Sequence, residues 1–289
     1  MSKADKLFVN MCNDILTNGT STEGEKVRPH WEDGTPAYTI KKFGVINRYD
    51  LREEFPAITL RRTAIKSAIE EVLWIYQLKS NNVHDLKTHI WDQWADKDGS
   101  IGKAYGYQVG KEYVHHFNTV GLIHIPVKMN QIDAVIYDLK NNPFSRRIML
   151  NLWNFDELHE MHLYPCAYSC TFNVTEENGN KVLNMILNQR SQDILAANNW
   201  NVVQYAALQM MIAQVCDMIP GELIHVIADA HIYDRHINII EELCKRPQYD
   251  APIVTLDKSI KNFYDFTPDS FTIDHYQHNG QVKNIPIAI

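Results

Sequence analysis

Apolar residues recur at helical spacing between Lys6 and Asn18, where Leu7, Phe8, Met11, Ile15 and Leu16 predict a first helix. The segment that follows, Asn18 to Pro36, is polar and carries Gly and Pro, so it reads as a loop outside any core. A weak alternation from Tyr38 to Tyr49 predicts strands. Arg62 to Leu78 is a strong amphipathic helix, with Ile65, Ala68, Ile69, Val72, Leu73 and Ile75 near one face. Another helix is expected over Ile132–Lys140, stopped by the breaker Asn141-Asn142-Pro143.

The texture changes from Arg146 onward. Arg147–Trp153, Cys170–Val174 and Val182–Gln189 read as strands, the last two joined by a turn over Glu176-Glu177-Asn178-Gly179-Asn180. A helix over Val202–Cys216, a buried strand over Glu222–Asp229 and a helix over Tyr233–Arg246 complete the pattern. The richest apolar stretch, Val202 to Met218, is interrupted by Gln204, Gln209, Gln214 and Asp217, so it predicts a core helix and not a membrane span. Strands and helices interleave with no repeat and no Gly/Ser/Pro-rich linker. The fold expected is mixed α/β (α+β), with residues 1–289 forming a single domain.

Charge and cysteine content narrow the class. A net charge of -7 disfavours non-specific binding to nucleic acid or anionic membranes, yet leaves room for a local basic pocket. The cysteines Cys12, Cys166, Cys170, Cys216 and Cys244 are odd in number and form no CxxC pair, which argues against a disulfide framework or a zinc knuckle. The N-terminus has no apolar signal region. A reducing cytoplasm is the expected setting.

Several residues could carry chemistry. Cys166 follows Pro165 in LYPCAY; it is either a small core residue or a nucleophile whose thiolate needs a nearby cation. Arg190-Ser191, after Gln189, offers a planar fork and a hydroxyl suited to phosphate. Arg146-Arg147 is a second basic pair, either solvated or directed to a phosphate or a subunit contact. His231 and Tyr233, after Asp229, could share a ligand hydroxyl. The rival reading makes Asp229 and His231 metal ligands, with His236 or the His159/His162 pair, but no tight ligand spacing supports it. Trp91 and Trp94 are core aromatics or a wall for a flat heteroaromatic ring. Glu71 is a polar-face residue or a carboxylate tucked against the core.

The segments EVLWIYQL, HIWDQWADKDGSIGKAYGYQ, NPFSRRI, LYPCAYS, QRSQDILAANNWNV and DAHIYDRHI, in this order, resemble the folate-dependent thymidylate synthases. The resemblance runs from the first helix to the terminal Pro286-Ile287-Ala288-Ile289. It implies a homodimer with sheets packed face to face, substrate dUMP, and 5,10-methylenetetrahydrofolate as co-substrate with no metal. Cys166 would add to C6 of the pyrimidine, and Glu71 and Tyr105 would serve proton transfers. Arg190 and Ser191 would bind the phosphate, joined by Arg146 and Arg147 from the partner and by Arg28 on the N-terminal loop. Asn201 would read the pyrimidine edge, with Gln189 and Asp193 in the same pocket, and His231 and Tyr233 would hold the ribose hydroxyl. Trp91, Trp94, Asp193 and Ala288 would meet the folate.

The chain also departs from the pattern. Ala167 stands where most members have a histidine, Thr171 where glutamine is usual, and Ala197-Asn198-Asn199-Trp200-Asn201 replaces Gly-x-Pro-Phe-Asn. A minority branch of the family also lacks that histidine. The alternative on the same fold is a pyrimidine nucleotide hydroxymethylase, in which water captures the methylene intermediate. From other classes come a metal-dependent phosphohydrolase built on Asp229 and His231, and RNA binding, against which the acidity of the chain argues.

Overall fold

The strands expected over Val182–Gln189 and Glu222–Asp229 lie side by side and parallel, joined by the long apolar helix. In the computed structural model, which describes residues 1–115 and 127–289, the strands are β1 (Thr20–Ser21), β2 (Thr39–Asp50), β3 (Tyr113–His115), β4 (Val127–Met129), β5 (Met149–Asn151), β6 (Ala167–Glu177), β7 (Asn180–Asp193), β8 (Ile219–Tyr233), β9 (Ile253–Leu256) and β10 (Phe271–Asp274). The helices are α1 (Lys3–Asn18), α2 (Ile65–Tyr76), α3 (Gly106–Gly110), α4 (Gln131–Asn141), α5 (Asn198–Val215) and α6 (Ile237–Lys245). One 6-stranded sheet runs β1-β2-β8-β7-β6-β5, and two small hairpins, β3-β4 and β9-β10, lie apart from it. Every neighbour in the large sheet is antiparallel except β7–β8. The expected mixed α/β class is what forms. No helix of the described residues is long and apolar enough to cross a membrane.

Local chemistry explains the boundaries. Ser2 caps α1 by accepting from the Asp5 N–H, which starts this helix ahead of the expected Lys6. The β6–β7 hairpin closes on Asn178 and Gly179, both at positive φ (52° and 78°), the geometry of a type I′ turn. α5 begins at Asn198 and not at Val202, because the preceding turn is already closed by Asp193, which accepts from the Ala196 N–H at 2.9 Å. The helix expected over Tyr233–Arg246 splits into a 3-10 turn at Asp234–His236 and then α6. The strand expected over Arg147–Trp153 shrinks to β5, at the sheet edge.

One face of the sheet is covered. Leu183, Met185 and Leu187 of β7 and Leu223 and Ile227 of β8 pack there in one core with Phe8 and Ile15 of α1, Ile69 and Val72 of α2, and Val203 and Leu208 of α5. On the opposite face Ile186, Asn188, Ile224 and Val226 are only half-buried, and Ile46 of β2 is 57% exposed. The polar loop also contributes to the core, against expectation. Trp31 is buried there because its ring meets Tyr233 and His236 edge-on and its indole N–H donates to Asp234 at 3.0 Å.

Candidate active site

Parallel pairing of β7 with β8 brings two distant segments together at their carboxyl ends, where open α/β sheets bind ligands. Ser191 faces Asp229, Gln192 faces Ala230 and Asp193 faces His231 across the pair. The first turn of α5 starts at the same end. Cys166 arrives from the other side, since β6 runs antiparallel to β7 and Ala167 sits opposite Gln189, with a register break between Ala167 and Ser169.

Arg190 holds this junction. Its guanidinium donates to the Pro165 carbonyl at 3.0 Å and the Tyr164 carbonyl at 2.8 Å, and its Nη2 lies 3.7 Å from Cys166 Sγ. Trp153 backs the guanidinium, with its ring centroid 5.8 Å from Cζ. Burial pushes the Cys166 thiol up, and the charges of Arg190 and then Arg28 pull it back. The other side of the cysteine is set by Tyr105, whose hydroxyl accepts from the Cys166 N–H at 3.1 Å. Tyr105 carries φ 43°, a costly conformation for an aromatic residue, while Gly106 beside it packs where a Cβ would run into the Ser80 carbonyl. Burial, foremost, keeps the Tyr105 phenol protonated.

A chain of amides lies behind the cysteine. Asn201 Oδ1 accepts from Gln189 and from Gln192, each at 3.2 Å, and its Nδ2 donates to Gln204 at 3.0 Å. Gln189 is 2% exposed and accepts in turn from His225 Nε2 at 2.7 Å, so it supports Asn201 from within. His225 is fully buried and burial drives its pKa down to about 3, so it is neutral and donates from one nitrogen. No motif pointed to His225. The usable signal was its place between Leu223 and Ile227 on the inward face of β8, where a polar residue needs a partner.

His231 Nδ1 pairs with Asp229 Oδ1 at 2.7 Å, which leaves Nε2 outside that pair, with the Tyr233 ring 5.1 Å away. Burial pushes the Tyr233 phenol up to about 12. Asp193 is held by His236, whose Nδ1 lies 3.6 Å from Oδ1 and whose Nε2 donates to the Pro286 carbonyl at 2.8 Å. Burial opposes the charge on Asp193, yet His236 keeps its carboxyl below the usual range. The C-terminus is strapped in place, since His30 and Ile289 exchange backbone bonds at 2.9 and 3.0 Å; Ala288 beside them is half-buried.

Glu71 of α2 is buried, and burial raises its carboxyl pKa. Trp91 is also buried, edge-on to Trp94 and Tyr105 and tilted against Trp74. Two expected residues stay apart from the rest. Arg146 and Arg147 are exposed next to β5, and among the described residues neither side chain has an ion-pair partner. Arg28 is exposed on its loop, but its charge bears on both Cys166 and Tyr233. Asp229 and His231 form a hydrogen-bonded pair, and among the described residues no group of His, Cys, Asp and Glu is arranged to hold a metal ion.

The family model described as thymidylate synthase matches residues 6–288. The chain is 42% identical to thymidylate synthase 1 of Bacillus spizizenii over 286 residues, 98% of each chain, and 43% identical to thymidylate synthase of Bacillus licheniformis over the same length. Its fold is similar to the solved thermostable thymidylate synthase A from Bacillus subtilis, with a TM-score of 0.88, 41% identity and 99% of each chain covered.

Proposed function

The chain belongs to the thymidylate synthase family, and from that premise we propose that residues 1–289 act as one catalytic domain converting dUMP to dTMP in the cytoplasm. The observation that carries this reading is the Arg190 guanidinium 3.7 Å from Cys166 Sγ, next to Ser191 at the carboxyl end of the parallel pair. One cation can then hold the dUMP phosphate and favour the thiolate that attacks C6. Addition at C6 makes C5 an enolate-like nucleophile. The folate supplies the methylene that C5 takes up and, on leaving as dihydrofolate, the hydride that completes the methyl group.

The remaining residues orient and shuttle. Asn201 pairs with the N3–H and O4 edge of uracil, and Gln189, Gln192 and Gln204 hold its amide. His231 Nε2 and Tyr233 receive the ribose hydroxyl. Glu71 and Tyr105 pass protons at the pyrimidine once the adduct has formed, and the C5 proton leaves before the thiolate is expelled. Asp193 fits the donor edge of a pterin, since its carboxylate stays charged beside His236. Trp91 and Trp94 line that side, and the strapped C-terminus around Ala288 keeps water from the methylene intermediate.

A second copy completes the site. The half-buried face carrying Ile46, Ile186, Ile224 and Val226 suits a matching sheet, and the unpaired Arg146 and Arg147 would reach the partner's phosphate pocket. The test of the reaction is release of tritium from dUMP labelled at C5. Release is expected to require methylenetetrahydrofolate and to vanish in Cys166→Ala; undiminished release by that variant would refute the assignment.

A further inference from the structure

Trp200 lies in the segment that departs from the family pattern, on the first turn of α5, facing α2. Its indole N–H donates to Glu71 Oε2 at 2.8 Å. Glu71 is 4% exposed, and among the described residues the Trp200 bond is the one of full hydrogen-bond geometry to its carboxylate. Gln204 and then Trp91 also favour its charged form, Gln204 ahead of Trp200, but their Nε2 and Nε1 are misaligned for a full hydrogen bond. A phenylalanine at this position would give the same flat wall with no donor. At the other end of the site, Ala167 removes an imidazole. The chain has therefore lost one polar group from its site and gained another, aimed at the buried carboxylate.

We propose that Trp200 is the positioning residue for Glu71, its indole N–H fixing Oε2 so that the carboxylate can exchange protons at the pyrimidine without help from a residue at 167. The inference rests on the reading of Glu71 as a proton-transfer group. Its physical basis is that an ionised carboxylate in an apolar site needs a donor, because burial otherwise favours the neutral form. The groups facing Glu71 are Trp200 and Gln204 from α5, Trp91 from the segment before the 3-10 turn at Asp92–Trp94, and Tyr105 at the start of α3. Tyr105 alone among these titrates, and burial keeps it neutral. On α2 itself, Glu70 pairs with Lys87 at 3.5 Å.

Trp200→Phe keeps the wall and removes the donor. In the pH profile of kcat/KM for dUMP, the limb abolished by Glu71→Gln is expected to move up by about one pH unit in Trp200→Phe. kcat should fall about tenfold, with a smaller change in KM. Trp200→His, which returns a ring N–H, should recover part of the shift. An unmoved limb in Trp200→Phe, or equal losses in Phe and His variants, would mean that Trp200 only packs. A second readout needs no turnover: the infrared carboxylate band lost in Glu71→Gln is titrated in wild type and in Trp200→Phe. Its midpoint should rise in the variant, and an identical midpoint overturns the proposal even if the enzyme proves to run a different reaction. Absence of dihydrofolate release by the wild type would instead defeat the functional reading alone.

Discussion

Replacing Arg190 by alanine should slow alkylation of Cys166 as well as weaken nucleotide binding. The guanidinium sits 3.7 Å from the sulfur, and burial already holds the thiol above its ordinary range. At an effective dielectric of about 20, unit charges about 4 Å apart interact by roughly 4 kcal/mol, or about three pH units of thiol ionisation. Arg28 still acts on the sulfur in the variant, and solvent reaches a site that has lost a long side chain. The working expectation is therefore a rise of about one to three units. The assay is the rate of carboxamidomethylation of Cys166 against pH, read by peptide mass spectrometry in the free enzyme. Arg190 also anchors the Tyr164 and Pro165 carbonyls, so Arg190→Lys serves as the control that keeps the charge and loses the fork. A midpoint near wild type for lysine and well above it for alanine would identify charge as the cause. An alanine variant with weakened dUMP binding and an unchanged alkylation profile would refute the reasoning.

Three further outcomes follow from the same geometry. His225→Phe removes the donor that orients Gln189 onto Asn201; kcat/KM for dUMP should fall about tenfold, with an unaltered pH profile between pH 5 and 8 because His225 is already neutral there. Asn201→Asp should shift preference toward dCMP, since a carboxylate can still accept from Gln189 and Gln192 but presents no donor to the ring; steady-state comparison of dUMP and dCMP decides it, and unchanged discrimination would sink it. His236→Asn should lower the melting temperature by on the order of 2–4 °C, most at low pH. Burial works against protonation of His236, but Asp193 and the Pro286 carbonyl raise its pKa overall. Its stabilisation is therefore whole below about pH 6.5, the unfolded value, and is lost as pH rises through the folded one. A melting gap that widens with pH would contradict this.

The sequence made the elements readable where side-chain pattern and backbone chemistry agree. Asn178-Gly179 marks its own turn, and the apolar face of α2 marks its own helix. Where tertiary contacts decide, the pattern was silent. The apolar pattern starts the helix at Val202, yet Asp193 closes the turn before Asn198 and α5 starts there. Trp31 looks like a loop residue, and only the packing of Tyr233 and His236 around it explains its burial. Within the site, the antiparallel β6–β7 hairpin joins Cys166 to Arg190, and the parallel β7–β8 register brings both to Asp229 and His231. The motif order made that meeting expected. It gave no sign of His225 or of the Trp200–Glu71 bond, because a hydrogen bond between residues of different elements leaves no local spacing to read.

In the proposed reaction a methylene intermediate on Cys166-bound pyrimidine is reduced by folate hydride and not captured by water. Enzyme incubated with dUMP and methylenetetrahydrofolate, with both nucleotide and folate products measured by mass spectrometry, tests it most directly. One dTMP and one dihydrofolate for each dUMP consumed is the predicted result. Hydroxymethylated dUMP with tetrahydrofolate would contradict it.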